Sequence, residues 1–215
     1  MRHLSLARLA PPARASRSDS VTVPDARRRA LTIATCLLPL AACKPSPTFH
    51  GIDLTLVSYA RDFALQGGDG RPHRLADFRG KVVMMFFGFT QCPDVCPTAL
   101  ARAAAVHQML GEDAKDFQVL FVTIDPERDT APVLAAYTAA FNPSFLGLYS
   151  DLEGTAAVTK EFKVYYGKVP TGSSYTMDHS TISTVFDRQG KARLAIKHEM
   201  SAADLAEDVR QLLNT

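Results

Sequence analysis

Two nearly continuous apolar runs constrain this chain most. Lys81-Val82-Val83-Met84-Met85-Phe86-Phe87 is bounded by Gly80 and Gly88, and Gln118 to Ile124 carries Val119, Leu120, Phe121, Val122 and Ile124 before stopping at Asp125-Pro126. A strand with one wet face alternates, whereas continuous runs of this length predict strands covered on both faces. Between them, Thr98 to Leu110 repeats Ala, Leu, Val and Met at helical spacing. The unit is therefore strand, helix, strand, with the two strands in one sheet.

The remaining segments extend that unit. Gly51 to Leu56 and Asp62 to Leu65 are candidate strands, and Gly67-Gly68-Asp69-Gly70 predicts a hairpin turn ahead of His73. Thr130 to Phe141 predicts a helix with Thr130 as N-cap and Pro132 in its first turn. Phe145 to Tyr149 is a short strand, Leu152 to Phe162 a helix, Lys163 to Tyr166 an extended segment, and Pro170 to Met177 an exposed loop. Thr181 to Phe186 and Arg193 to Lys197 form a hairpin through Asp187-Arg188-Gln189-Gly190, and Ser201 caps a last helix running to about Leu213. This order is α/β and resembles the thioredoxin fold, with an N-terminal β extension and an inserted helix and strand.

The formal charge of +2 is unevenly spread. Residues 1–42 hold seven basic and two acidic side chains, leaving 17 and 20 in the remainder, a net of −3. No Lys/Arg cluster that would track phosphates occurs there, so nucleic acid is excluded as a partner class. Arg27-Arg28-Arg29 followed by apolar Ala30 to Ala42 reads as an export signal, too short for the roughly 20 residues of a membrane span and interrupted by Pro39. The triplet also fits a weak twin-arginine signal, and the long charged region points to a translation start near Val21 or Val23. Leu40-Ala41-Ala42-Cys43 resembles the bacterial lipobox, which implies cleavage and a diacylglyceryl group on Cys43, with Cys36 discarded. An ordinary export signal or an uncleaved anchor is the alternative. The expected organisation is a lipoprotein-type signal peptide over 1–42, a membrane tether over 43–50 and a thioredoxin-like domain over 51–215.

The chemistry concentrates where the first apolar strand meets its helix. Cys92 and Cys96 are separated by Pro93, Asp94 and Val95. A thiol at a helix N-terminus meets unpaired backbone N–H groups, which favour its thiolate. An offset of four residues brings both sulfurs to one side, close enough to chelate a soft ion or to form a disulfide. A purely stabilising disulfide explains the pair less well, because so short a loop constrains the unfolded chain little. His50, His73, His107 and His198 read as surface residues, Asp129 as a helix cap, and Met84 and Met85 as core fillers.

Three blocks then carry a resemblance: Asp77-Phe78-Arg79-Gly80-Lys81 through Cys92-Pro93-Asp94-Val95-Cys96-Pro97-Thr98, Thr123-Ile124-Asp125-Pro126-Glu127-Arg128-Asp129-Thr130, and Asp178-His179-Ser180. Together they resemble the Sco/SenC family of copper-binding assembly factors for cytochrome c oxidase, over about Phe49 to Leu213. Gln91 and Thr184 depart from the family's pattern without touching a candidate ligand. The resemblance implies copper, as Cu(I) or Cu(II), on Cys92, Cys96 and His179, and two thiolates with one imidazole suit Cu(I) chemically. Asp125 and Asp178 are candidates to tune the metal or orient its ligands, and Met177 is a candidate soft contact.

The implied function is a metallochaperone on the periplasmic face of a bacterial envelope, lipid-anchored. Its implied partners are the copper-bearing subunit of cytochrome c oxidase and a periplasmic copper donor. The competing reading is a thiol-disulfide reductase using Cys92 and Cys96 as its redox pair, which keeps the oxidase's copper-ligand cysteines reduced. A peroxidase fits poorly, because no feature near Cys92 marks a peroxide-binding cysteine.

Overall fold

A computed structural model describes residues 48–215. The two apolar runs become β4 (Val82–Gly88) and β5 (Phe117–Thr123), paired in parallel from Val82 opposite Phe117 to Gly88 opposite Thr123. Every residue of β4 is buried, as is every residue of β5 except the half-buried Gln118. Earlier come β1 (Ile52–Asp53), β2 (Ala64–Gly67) and β3 (Pro72–Arg74); later come β6 (Leu146–Tyr149), β7 (Tyr166–Thr171), β8 (Ser174–His179), β9 (Ser183–Phe186) and β10 (Ala192–Ile196). The helices are α1 (Val95–Leu110), α2 (Ala131–Phe141), α3 (Leu152–Glu161) and α4 (Ala202–Leu213).

Eight strands form one sheet in the order β1-β10-β9-β4-β5-β6-β2-β3. β4, β5 and β6 are parallel, while β9 runs antiparallel to β4 on its other side. This mixed sheet with helical crossovers is the expected thioredoxin-like plan, and it brings the C-terminal ends of β4 and β5 together at one edge. In open α/β sheets that edge is where ligands bind. α4 packs on α1 through a buried stripe that includes Leu205, Val209 and Leu212. Its N-cap is Ser201, whose side chain accepts from the Asp204 amide, as expected.

Local boundaries differ from expectation for identifiable reasons. The first candidate strand shrinks to Ile52–Asp53, because the Asp53 carboxylate turns back to accept from the Thr55 amide at 2.7 Å. Helix α1 opens at Val95 rather than Thr98, with Pro97 in the first turn, where a missing N–H costs nothing. Leu75–Phe78 is a short 3-10 helix instead of a plain turn. The largest correction concerns Pro170 to Met177, expected as a loop. It belongs to the β7–β8 hairpin, which forms a separate two-stranded sheet turning at Gly172, whose φ is +59°.

Candidate metal centre

β4 ends at Gly88 and delivers the chain into the loop that carries Cys92. A Cβ on Gly88 would lie 2.6 Å from the Cys96 sulfur and 2.9 Å from the Phe121 ring, so only glycine lets Cys96 pack against the strand end. The loop is then fixed by Asp129. Its buried carboxylate accepts from the Thr90 amide at 3.0 Å, from the Thr90 hydroxyl at 2.5 Å and from the Thr123 hydroxyl at 2.6 Å. Asp129 is therefore a clamp between the cysteine loop and the end of β5, not the helix cap expected; the helix begins behind Thr130.

Cys92 and Cys96 are both buried free thiols. Cys92 precedes the helix, and Cys96 lies in its first turn. Hydrogen bonding from the Cys96 thiol first, then from the backbone N–H groups of Asp94 and Cys96, outweighs the burial that opposes ionisation; the Cys92 pKa is thereby lowered from 9.0 to about 5. Cys96 moves the other way, far up, because the Cys92 sulfur beside it takes a hydrogen bond from its proton and burial disfavours a second charge. One sulfur is poised as thiolate and its neighbour holds the proton.

His179 closes the group from the end of β8. Alternation along that strand buries Met177 and His179 and exposes Asp178. The ring's Nδ1 lies 2.8 Å from the Ser180 carbonyl, an oxygen that only accepts, so Nδ1 carries the proton and Nε2 presents its lone pair. Nε2 stands 3.7 Å from the Cys96 sulfur, and the rings of Phe86 and Phe89 wall the imidazole at centroid distances of 6.1 and 5.9 Å. The ligand atoms of Cys92, Cys96 and His179 all lie within 4.8 Å of one another, and among the described residues they are the one such group. Two thiolates and an imidazole this close fit a soft metal ion.

The two acidic candidates do not join them. Asp178 is exposed on the opposite face of β8, and the orienting role expected of it falls to the Ser180 carbonyl. Asp125 is buried but engaged elsewhere, paired with Arg128 and accepting from the Tyr175 hydroxyl at 2.9 Å. Met177 shares the buried face of His179 without entering the ligand group. His73 lies 3.1 Å from both Asp69 oxygens, His107 3.4 Å from the Ser144 hydroxyl, and His50 against Glu207. Cys43 lies outside the described residues. Arg128 stands in the second block of the resemblance but was given no role there, and Tyr175 was missed; Gly172-Ser173 between extended segments was the available signal for the hairpin that carries Tyr175.

Known proteins resemble this chain in sequence and fold. The SCO1/SenC family model matches residues 55–214. An SCO2-like protein of Rickettsia felis is 36% identical over 138 residues, 63% of this chain and 67% of that protein. The mitochondrial SCO2 homolog of Bos taurus is 36% identical over 154 residues, 70% of this chain, yet the match spans only 58% of the bovine protein. Among solved structures, copper-bound ScoI of Bradyrhizobium japonicum superposes with a TM-score of 0.68 at 33% identity, covering 72% of this chain and 99% of that one. BsSco, described as a member of the Sco family of cytochrome c oxidase assembly proteins with a disulfide switch, shares the fold with a TM-score of 0.59 at 22% identity, covering 76% and 98%. With a family model matching from just after β1 through α4 and a copper-bound structure 33% identical over the 72% of this chain that it covers, this chain belongs to the SCO1/SenC family.

Proposed function

We propose that this chain carries copper to cytochrome c oxidase during its assembly, loading the binuclear copper site of the oxidase's copper-bearing subunit. The observation that carries the reading is the convergence of two sulfurs and an imidazole Nε2 within 4.8 Å, with the ring already in the ligating tautomer. Copper is cargo. Cys92, Cys96 and His179 hold it, as a three-ligand Cu(I) site or with an added oxygen ligand as Cu(II). Release proceeds by ligand exchange, incoming thiolates displacing the protein's ligands one at a time. Because Cys96 must give up its proton to bind, affinity falls in acid. Residues 1–42 serve as signal peptide and 43–50 as tether, and a lipid on Cys43 holds the domain on the periplasmic face, where a periplasmic donor supplies the copper.

A second reading rests on the lowered Cys92 thiol. A thiolate formed at about 5 beside a protonated partner is also the arrangement of a dithiol reductant, in which Cys92 attacks a disulfide and Cys96 resolves the mixed intermediate. That reading leaves His179 without a necessary role. A strain lacking this gene and complemented with His179→Ala separates the two. The carrier reading expects oxidase without its binuclear copper; full rescue by the variant overturns it in favour of the reductase.

A further inference from the structure

The β7–β8 hairpin makes no ladder with the eight-stranded sheet, although His179 sits at its end. Other contacts must therefore set the distance between His179 and the cysteines. They converge on one guanidinium. Arg128 pairs through Nε with Asp125 at the end of β5. Its Nη1 donates to the Gln91 side-chain oxygen at 3.1 Å, next to Cys92, and to the Tyr175 carbonyl at 2.9 Å on the hairpin. The guanidinium also lies over the Tyr175 ring at 3.8 Å, and the Tyr175 hydroxyl returns to Asp125 at 2.9 Å. Tyr175 and His179 are four residues apart on one strand and so face the same side.

We infer that Arg128 and Tyr175 are positioning residues for the metal centre: they clasp the histidine hairpin onto the cysteine loop, and so set how much of the chain has His179 in ligand reach. The inference rests on the copper reading above. Only the closed population binds with three ligands, so apparent affinity scales with the closed fraction. Arg recruits the cysteine loop, β5 and the hairpin together because its donors form a planar fork; Lys offers a point charge that cannot span all three. The exposed pair between Lys168 on the hairpin and Glu127 in the β5–α2 turn adds little by comparison.

The test is a double-mutant cycle on the full chain loaded with Cu(I) against a competing chelator, for wild type, Arg128→Lys, His179→Ala and the double variant. Tyr175→Phe serves as a milder change that keeps the ring, and thermal unfolding of the metal-free proteins serves as a check on folding. Losing the charge-assisted fork is expected to weaken copper about tenfold while one copper per chain is kept. Tyr175→Phe should give a smaller loss of the same sign, and Arg128→Lys should cost nothing further once His179 is Ala. The Cu(II) charge-transfer spectrum of Arg128→Lys should move toward that of His179→Ala. Equal losses in both histidine backgrounds, or none in either, overturn the clasp. Unchanged affinity in His179→Ala alone instead overturns the ligand assignment itself, and the clasp with it.

Discussion

Cys92 and Cys96 are the same chemical group held in opposite states by their surroundings. Donors converge on the first sulfur, and the second keeps the proton that the pair shares. The folded value of Cys92, about 5, lies below its ordinary 9.0, so between these values the unfolded chain binds more protons. Its contribution to stability is therefore absent below about 5, grows through the window, and is complete above 9.0. Cys96, raised, keeps its proton when the unfolded chain loses it, and takes stability away above the ordinary thiol range. In metal-free protein, alkylation of Cys92 by iodoacetamide should stay fast at neutral pH and slow only as pH falls through about 5; a half-point near 9 would remove the thiolate from this account. Gly88 is as demanding in shape as the cysteines are in charge. Gly88→Ala should destabilise the fold by about 1–3 kcal/mol in urea unfolding and weaken copper binding, because the added methyl displaces the Cys96 sulfur.

At the scale of elements, the centre is a junction of three segments: the β4–α1 turn, the β5–α2 turn and the β7–β8 hairpin. The Asp129 carboxylate joins the first two. Asp129→Ala leaves the Thr90 amide and the Thr90 and Thr123 hydroxyls without their acceptor, and should cost about 2–4 kcal/mol by denaturant unfolding, more than Asp129→Asn. The first two segments were legible in the sequence, since continuous apolar runs and Gly, Pro and Asp punctuation report burial and turns directly. The hairpin was less so. Its two strands bury only Met177 and His179, so Lys168, Pro170 and Thr176 weaken the alternation that marks a half-buried strand. Asp129 was misread for a related reason: a carboxylate before a helix usually caps it, and only the parallel pairing of β4 with β5 brings Thr90 within its reach.

Across the molecule, the N-terminal entry is fastened to the last helix. The buried Asp208 carboxylate of α4 accepts from the His50 amide at 2.9 Å and the Gly51 amide at 2.8 Å, and the His50 ring lies 3.3 Å from Glu207. The last residues of the expected tether thus touch α4. His50 is raised above 6.5, chiefly by its hydrogen bond to Glu207, so its hold is complete below 6.5 and is lost as pH rises through the folded value. Amide exchange at Gly51–Asp53, corrected for intrinsic rates, should quicken at pH values above that range, and His50→Ala should abolish the difference. The order of the main-sheet strands and helices and the candidate cysteines and histidine were readable from the chain, whereas the β7–β8 hairpin was not. The contacts that join the chain's two ends, and those that tie the His179 hairpin to Arg128 and Asp125, span more than thirty residues each and follow from the fold alone.

The central claim is a copper ion held by two sulfurs and one histidine nitrogen. X-ray absorption at the copper edge, on the full chain loaded with one equivalent of Cu(I), tests it most directly. The account predicts two sulfur scatterers and one nitrogen, with the nitrogen lost in His179→Ala and one sulfur lost in Cys92→Ser or Cys96→Ser. Copper bound with the wild-type ligand set in any of these three variants would contradict it.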